Sequence, residues 1–90
     1  MAWRIEVDPA AAKEIDALGH DGARRILKFL QGRVAPLADP RAIGEALRGS
    51  KLGGLWKYRV GDYRIIADIQ DRAVCILVVR VGHRREVYRR

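Results

Sequence analysis

Residues 73–81 constrain this chain most, because they are apolar on both faces until Arg80 interrupts them. A strand that is half exposed alternates apolar with polar residues, whereas one that is apolar throughout must be covered on both sides. This stretch therefore predicts a central strand, and the rest of the chain must be arranged to shield it. Gly82 is expected to end it, before the basic tail His83, Arg84, Arg85, Glu86, Val87, Tyr88, Arg89, Arg90. The single cysteine, Cys75, lies inside the run and reads as a small buried hydrophobe rather than a nucleophile.

The partner of that strand is legible just upstream. Residues 56–60 and 63–70 read as two strands joined by Gly61 and Asp62, a glycine-first two-residue link suited to a type II′ turn. Asp71 and Arg72 then lead into the apolar run. A two-residue turn fixes register: Val60 should pair with Tyr63, Arg59 with Arg64, Tyr58 with Ile65 and Lys57 with Ile66. Alternation then puts Trp56, Tyr58, Val60, Tyr63, Ile65, Ala67 and Ile69 on one apolar face, and Lys57, Arg59 and Arg64 on the other. Two arginines directly opposite each other repel, at a cost of up to about 1 kcal/mol. A bound polyanion would relieve that cost, since arginine accommodates phosphate through two parallel hydrogen bonds. The competing reading is that both guanidiniums splay into water, or that Asp62 or Asp68 screens them.

The first half supplies the cover. Trp3, Ile5 and Val7 alternate with Arg4 and Glu6, which predicts a short strand. Asp8 followed by Pro9 is a helix start, with Ala11, Ile15 and Leu18 on one face and Gly19 as the stop. Asp21 is expected to cap a second helix whose apolar stripe is Ala23, Ile26, Leu27, Leu30 and Val34. Arg24, Arg25, Lys28 and Gln31 take its other side. Asp39 and Pro40 suggest a short helix through Leu47, and Gly49, Gly53 and Gly54 mark a loop. The expected fold class is α+β: an N-terminal strand, a helical hairpin, then a three-stranded antiparallel meander forming a small sheet packed on the helices.

Charge narrows the function. The 90-residue chain carries a formal charge of +7, and its 49% hydrophobic content is enough for a folded core. From Lys51 onward there are ten basic residues against four acidic ones, so six of the seven excess charges lie there. Clustered positive charge favours nucleic acid or an acidic partner. One cysteine and two separated histidines, His20 and His83, give neither a disulfide framework nor a zinc pattern. With no signal-like or membrane-spanning run, a soluble cytoplasmic protein is expected.

Leu47, Arg48 and Gly49, followed by Leu55 to Ile66 with its Trp56-Lys57-Tyr58-Arg59 and Tyr63-Arg64, resemble the central hairpin of RelE/ParE-superfamily toxins. The ending Val81-Gly82-His83-Arg84, closing on Tyr88, resembles the RelE branch in particular. The resemblance implies that residues 1–90 are one RelE-like toxin domain of a type II toxin–antitoxin module. It would cleave messenger RNA in the ribosomal A site and be neutralised by an acidic, RelB-like antitoxin in a hetero-oligomer. Carried over by motif, Lys57, Arg59, Arg64, Arg84 and Tyr88 would form the catalytic set. Lys51, His83 and Arg85 would add RNA contacts. No cofactor or metal is implied, because arginine and lysine supply the positive charge. The same hairpin also fits a ParE-like toxin that inhibits DNA gyrase without catalysis, and a third reading is a basic nucleic-acid-binding module without toxicity.

RNA cleavage by internal transfer needs a base for the 2′-hydroxyl, stabilisation of the charged phosphorus centre and a proton for the leaving 5′-oxygen. Arg64 and Arg84 suit the second task, as permanent cations with planar forks. Tyrosine and lysine ordinarily titrate near about 10 and 10.4, and surrounding cations lower both. That crowding would make Tyr88 a candidate base and Lys57 a candidate acid or electrostatic stabiliser. His83 is the rival, since a histidine ordinarily titrates near about 6.5.

Overall fold

The computed structural model describes residues 2–47 and 54–87. Strand β1 (Arg4–Val7) leads into helix α1 (Pro9–Ala17), where the Asp8 side chain accepts a 3.1 Å hydrogen bond from the Ala10 N–H and Pro9 occupies the first turn. Gly19 takes the left-handed φ of +86° that its place after α1 suggests. Helix α2 (Gly19–Phe29) nevertheless begins at that residue, so Asp21 sits inside its first turn instead of capping it. With the reversal made in one residue, no linker is left for a cap. The helix then widens into a π turn over Leu30–Val34, closed by the Ala35 N–H on the Leu30 carbonyl at 2.9 Å. Ile26, Leu30 and Val34 are all fully buried along this stretch.

The sheet has five strands in the order β1-β5-β4-β3-β2, formed by β2 (Glu45–Ala46), β3 (Trp56–Val60), β4 (Tyr63–Gln70) and β5 (Cys75–His83) with β1. The apolar strand β5 is central, as its composition requires, between antiparallel β4 and parallel β1. The N-terminal strand thus joins the same sheet, making it mixed. The short helix expected through Leu47 stops early: Pro40–Ile43 is a single 3-10 turn, capped by Asp39, and Glu45 and Ala46 pair with Lys57 and Trp56. Gly44 makes the change of direction, and a side chain there would meet the Tyr58 ring at 3.0 Å.

Strand β5 starts at Cys75, later than expected, because residues 71–74 form the turn, with Val74 at a strained φ of +48°. It also runs through Gly82 to His83, which lie opposite Arg64 and Tyr63. Backbone pairing needs no side chain, so glycine does not end it. Between Ile66 and Ala67 the register slips by one, leaving Val79 as an extra residue on β5. That bulge lets Ile76, Val78 and Val81 all join the helix-facing core, although plain alternation would turn Val81 away.

The core packs Ala11, Ile15, Ile26, Leu30 and Val34 of the helical layer against Tyr58, Ile65, Ala67, Ile76, Val78 and Val81 of the sheet. Trp3, Trp56 and Tyr63 are partly buried against it, consistent with core aromatics. Cys75 is buried, and burial raises its thiol pKa, which suits a packing role. Beyond the end of β1, Glu14 on α1 receives the Val81 N–H at 2.8 Å and pairs with Arg80 at 3.3 Å.

Tyr58 is fully buried and donates its hydroxyl to the Pro40 carbonyl at 2.7 Å, tying the 3-10 turn to β3. Burial pushes its pKa up to about 12. Tyr58→Phe should cost about 1–2 kcal/mol in urea unfolding, since it strips a side-chain donor from a buried carbonyl. The folded protein keeps this proton until about pH 12, whereas the unfolded chain releases it near about 10. The native state therefore binds more protons in that window, and stability should fall as pH rises through it. Tyr58→Phe should flatten that part of the stability profile.

Candidate nucleic-acid interface

The hairpin register is the expected one, with Lys57 opposite Ile66, Arg59 opposite Arg64 and Val60 opposite Tyr63. Gly61 alone in the turn has positive φ, +61°, which is the type II′ pattern. Tyr58, Ile65 and Ala67 face the helices, so alternation directs Lys57, Arg59 and Arg64 to the opposite face.

Arg64 departs from the expected surface arginine: it is only 7% exposed. Its Nη1 donates to the Gly61 carbonyl at 2.9 Å and to the Tyr63 carbonyl at 2.8 Å. These carbonyls satisfy Nη1, and no carboxylate among the described residues forms an ion pair with the guanidinium. Arg59 stands exposed directly across from it. Neither Asp62 nor Asp68 forms an ion pair with them, and Asp68 instead accepts from the Gln70 amide at 3.2 Å.

The acid on this face that meets a cation is Glu45. Strand β2 places it opposite Lys57, with Oε1 3.0 Å from Nζ. Its carboxyl is held below the usual range by the hydrogen bond and charge of Lys57, and further by Arg59 and Arg64. Sequence reading missed this residue because it assigned residues 40–47 to a helix. Only the strand pairing brings Glu45 to the cations.

At the end of β5 the Arg84 N–H donates to the Asp62 carbonyl at 2.8 Å, fastening the start of the tail to the hairpin turn. Glu86 and Val87 then both donate to the His83 carbonyl, at 2.8 and 3.0 Å, in a tight turn. Val87 is buried against Gly82, the residue opposite Arg64. The structure thus groups Lys57, Arg59 and Arg64 on one face and puts exposed Arg84 and Arg85 at the hairpin-turn end of it, whereas His83, opposite Tyr63, alternates to the helix-facing side with Val81. Lys51 and Tyr88 lie outside the described residues. Two other cations do not converge: Arg80 turns to Glu14, and Arg72 lies in the turn at the far end of β4. This arrangement can seat a phosphate on a nearly buried guanidinium, with a second cation on either side.

Glu45→Gln removes one negative charge from this face while keeping the side-chain shape. It should tighten binding of a polyuridylate oligomer roughly two- to fivefold at low salt, measured by fluorescence anisotropy. The gain should vanish at high salt, where exposed charges are screened.

Comparison with known proteins shows the family to which this fold belongs. The model of the ParE toxin of type II toxin–antitoxin systems matches residues 5–88. The mRNA interferase toxin RelE of Escherichia coli (strain K12) is 33% identical over 90 residues, covering 98% of this chain and 92% of that protein. Among solved structures, the toxin–antitoxin complex RelBE2 of Mycobacterium tuberculosis superposes with a TM-score of 0.83 at 24% identity, over 93% of each chain. An arginine double mutant of E. coli toxin RelE in complex with an antitoxin RelB peptide gives a TM-score of 0.70 at 28% identity, over 92% of this chain and 84% of that one. With its mixed sheet, its helical hairpin and its matched length, the chain belongs to the RelE/ParE family of type II toxin–antitoxin toxins.

Proposed function

We propose that this toxin is an endoribonuclease that cleaves messenger RNA in the ribosomal A site. The observation that carries the reading is Arg64: a 7% exposed guanidinium with no described carboxylate partner, faced by a second arginine. A buried unpaired cation is costly, and a phosphate diester supplies the missing charge. The name of the E. coli relative, an mRNA interferase, points the same way.

In this reading Arg64 and Arg84 hold the phosphate and stabilise the charge that builds on its oxygens in the transition state. Arg59 and Lys57 flank them, with Lys57 protonating the leaving 5′-oxygen. Tyr88, the residue after the anchored Val87, takes the 2′-hydroxyl proton, and His83 is the alternative base. Lys51, His83 and Arg85 add backbone contacts. The guanidinium and ammonium groups supply the charge stabilisation, so the proposal calls on no metal. Residues 1–90 act as one RelE-like domain in the cytoplasm, where the ribosome is.

An acidic, RelB-like antitoxin would neutralise the toxin by covering the basic face. The structural relative at 28% identity is a RelE bound to a RelB peptide. A second reading, non-enzymatic inhibition of DNA gyrase, is favoured by the match to the ParE toxin model. It does not require Lys57, Arg59, Arg64, Arg84 and Tyr88 to act together.

The purified chain in a cell-free translation reaction, with messenger RNA ends mapped by primer extension, tests the choice. Cuts at A-site codons that require translating ribosomes are expected. Arg64→Ala, Arg84→Ala and Tyr88→Phe should each lower the single-turnover rate by about a hundredfold or more. Intact messenger RNA from a folded, growth-arresting protein would overturn the nuclease reading, and inhibition of gyrase supercoiling would establish the second.

A further inference from the structure

The hairpin tip carries a cation that the RNA reading has not used. Arg25 projects from α2 to the Gly61-Asp62 turn, with its guanidinium carbon 5.8 Å from the centre of the Tyr63 ring. A Cβ on Gly61 would lie 2.6 Å from its Nη2, so the guanidinium occupies the room that the glycine leaves. Arg64 donates to the carbonyl of that same glycine at 2.9 Å. Two guanidiniums from different elements therefore meet at one residue, while the Arg84 backbone is fastened to the neighbouring Asp62 carbonyl at 2.8 Å.

Charge at this tip is poorly balanced. Arg25 forms no ion pair among the described residues, and the nearby acid, Asp62, forms none either. By contrast, its neighbour in sequence, Arg24, lies 4.0 Å from Asp21. The cation–π contact with Tyr63 and the close approach to Gly61 restrict the guanidinium, and a planar guanidinium can offer two parallel hydrogen bonds to an oxyanion. Such pre-orientation reduces the entropy lost when an anion binds.

We propose that Arg25 is an RNA-backbone contact, a phosphate subsite at the hairpin tip next to the one built on Arg64. It takes a phosphate flanking the one that is cleaved, and so extends the bound strand from the basic face of the sheet toward α2. This rests on the RNA reading given above. A planar guanidinium held beside an aromatic ring fits a phosphate diester, to whose non-bridging oxygens it can donate in pairs.

The test is binding of a fluorescein-labelled single-stranded RNA, followed by anisotropy across a salt series for the wild type, Arg25→Ala, Arg25→Lys and Arg59→Ala. Each single-strand phosphate contact contributes about 0.7 to the slope of log affinity against log salt. Arg25→Ala should lower the slope by about that amount and weaken binding roughly three- to tenfold at low salt. Arg25→Lys, which keeps the charge but not the planar fork, should restore the slope and only part of the affinity. Circular dichroism and thermal melting confirm that each variant is folded. An unchanged affinity and slope in Arg25→Ala, beside weakened binding in Arg59→Ala, would overturn this subsite alone. A wild type that binds no free RNA would also overturn the subsite, whereas the nuclease reading falls only on intact messenger RNA in the translation assay.

Discussion

The one-residue bulge on β5 decides what the two ends of the sheet can do. Before it, Ile76 and Val78 face the helices, and after it Val81 does so too. The core is therefore continuous along a strand whose pairing shifts halfway. Beyond the bulge the same shift brings Gly82 opposite Arg64 and His83 opposite Tyr63. Without it, Arg64 would face Val81, and a large apolar residue would stand where Gly82 leaves space for Val87. Bulges bend a strand and re-aim its side chains, and here the effect separates a packing end from a charged end.

At the charged end, the fold accepts an electrostatic penalty. Arg64 is removed from water and receives two carbonyls but no described carboxylate, while Arg59 repels it from across the hairpin. Of the acids on this face, Asp68 turns to the Gln70 amide, and Glu45 contacts Lys57 from the most exposed strand. An exposed pair of this kind contributes little to stability and is easily rearranged. The cost is borne by the apolar layer on the other face, where buried side chains of both helices meet Tyr58, Ile65 and Ala67. A small protein can hold charge so densely only when one face of the sheet is committed wholly to packing.

Features governed by local rules were legible in the sequence. The alternation of residues 56–60, the glycine-first turn and the Asp8-Pro9 helix start each depend on a few neighbouring residues, and each appears as read. The two-sided apolar run likewise announced a central strand, because burial on both faces leaves no room for polar alternation. What was not legible depends on distant pairing. Glu45 joins the site only because β2 adds to the edge of β3, and two residues carry no periodicity to announce a strand. The bulge is equally silent, since one extra residue in an apolar run changes no pattern. Arg25 read as a solvated residue, because the ring that holds it lies 38 positions later in the chain, at Tyr63.

Gly61 shows how these levels meet in one residue. The turn requires positive φ there, +61°, which glycine adopts without strain. The same absence of a side chain admits the Arg25 guanidinium, and the carbonyl of that residue holds Arg64. An asparagine would tolerate the backbone conformation but would displace Arg25, so turn chemistry alone does not account for the choice. Tyr63 makes the matching demand on the helix, where a Cβ on Gly22 would meet its hydroxyl at 3.1 Å. Two glycines thus bring α2 and the hairpin tip together around one aromatic ring. The position of a cation at the proposed RNA surface is thereby set by close packing between layers, and the charge of the tip depends on the same contacts as the fold.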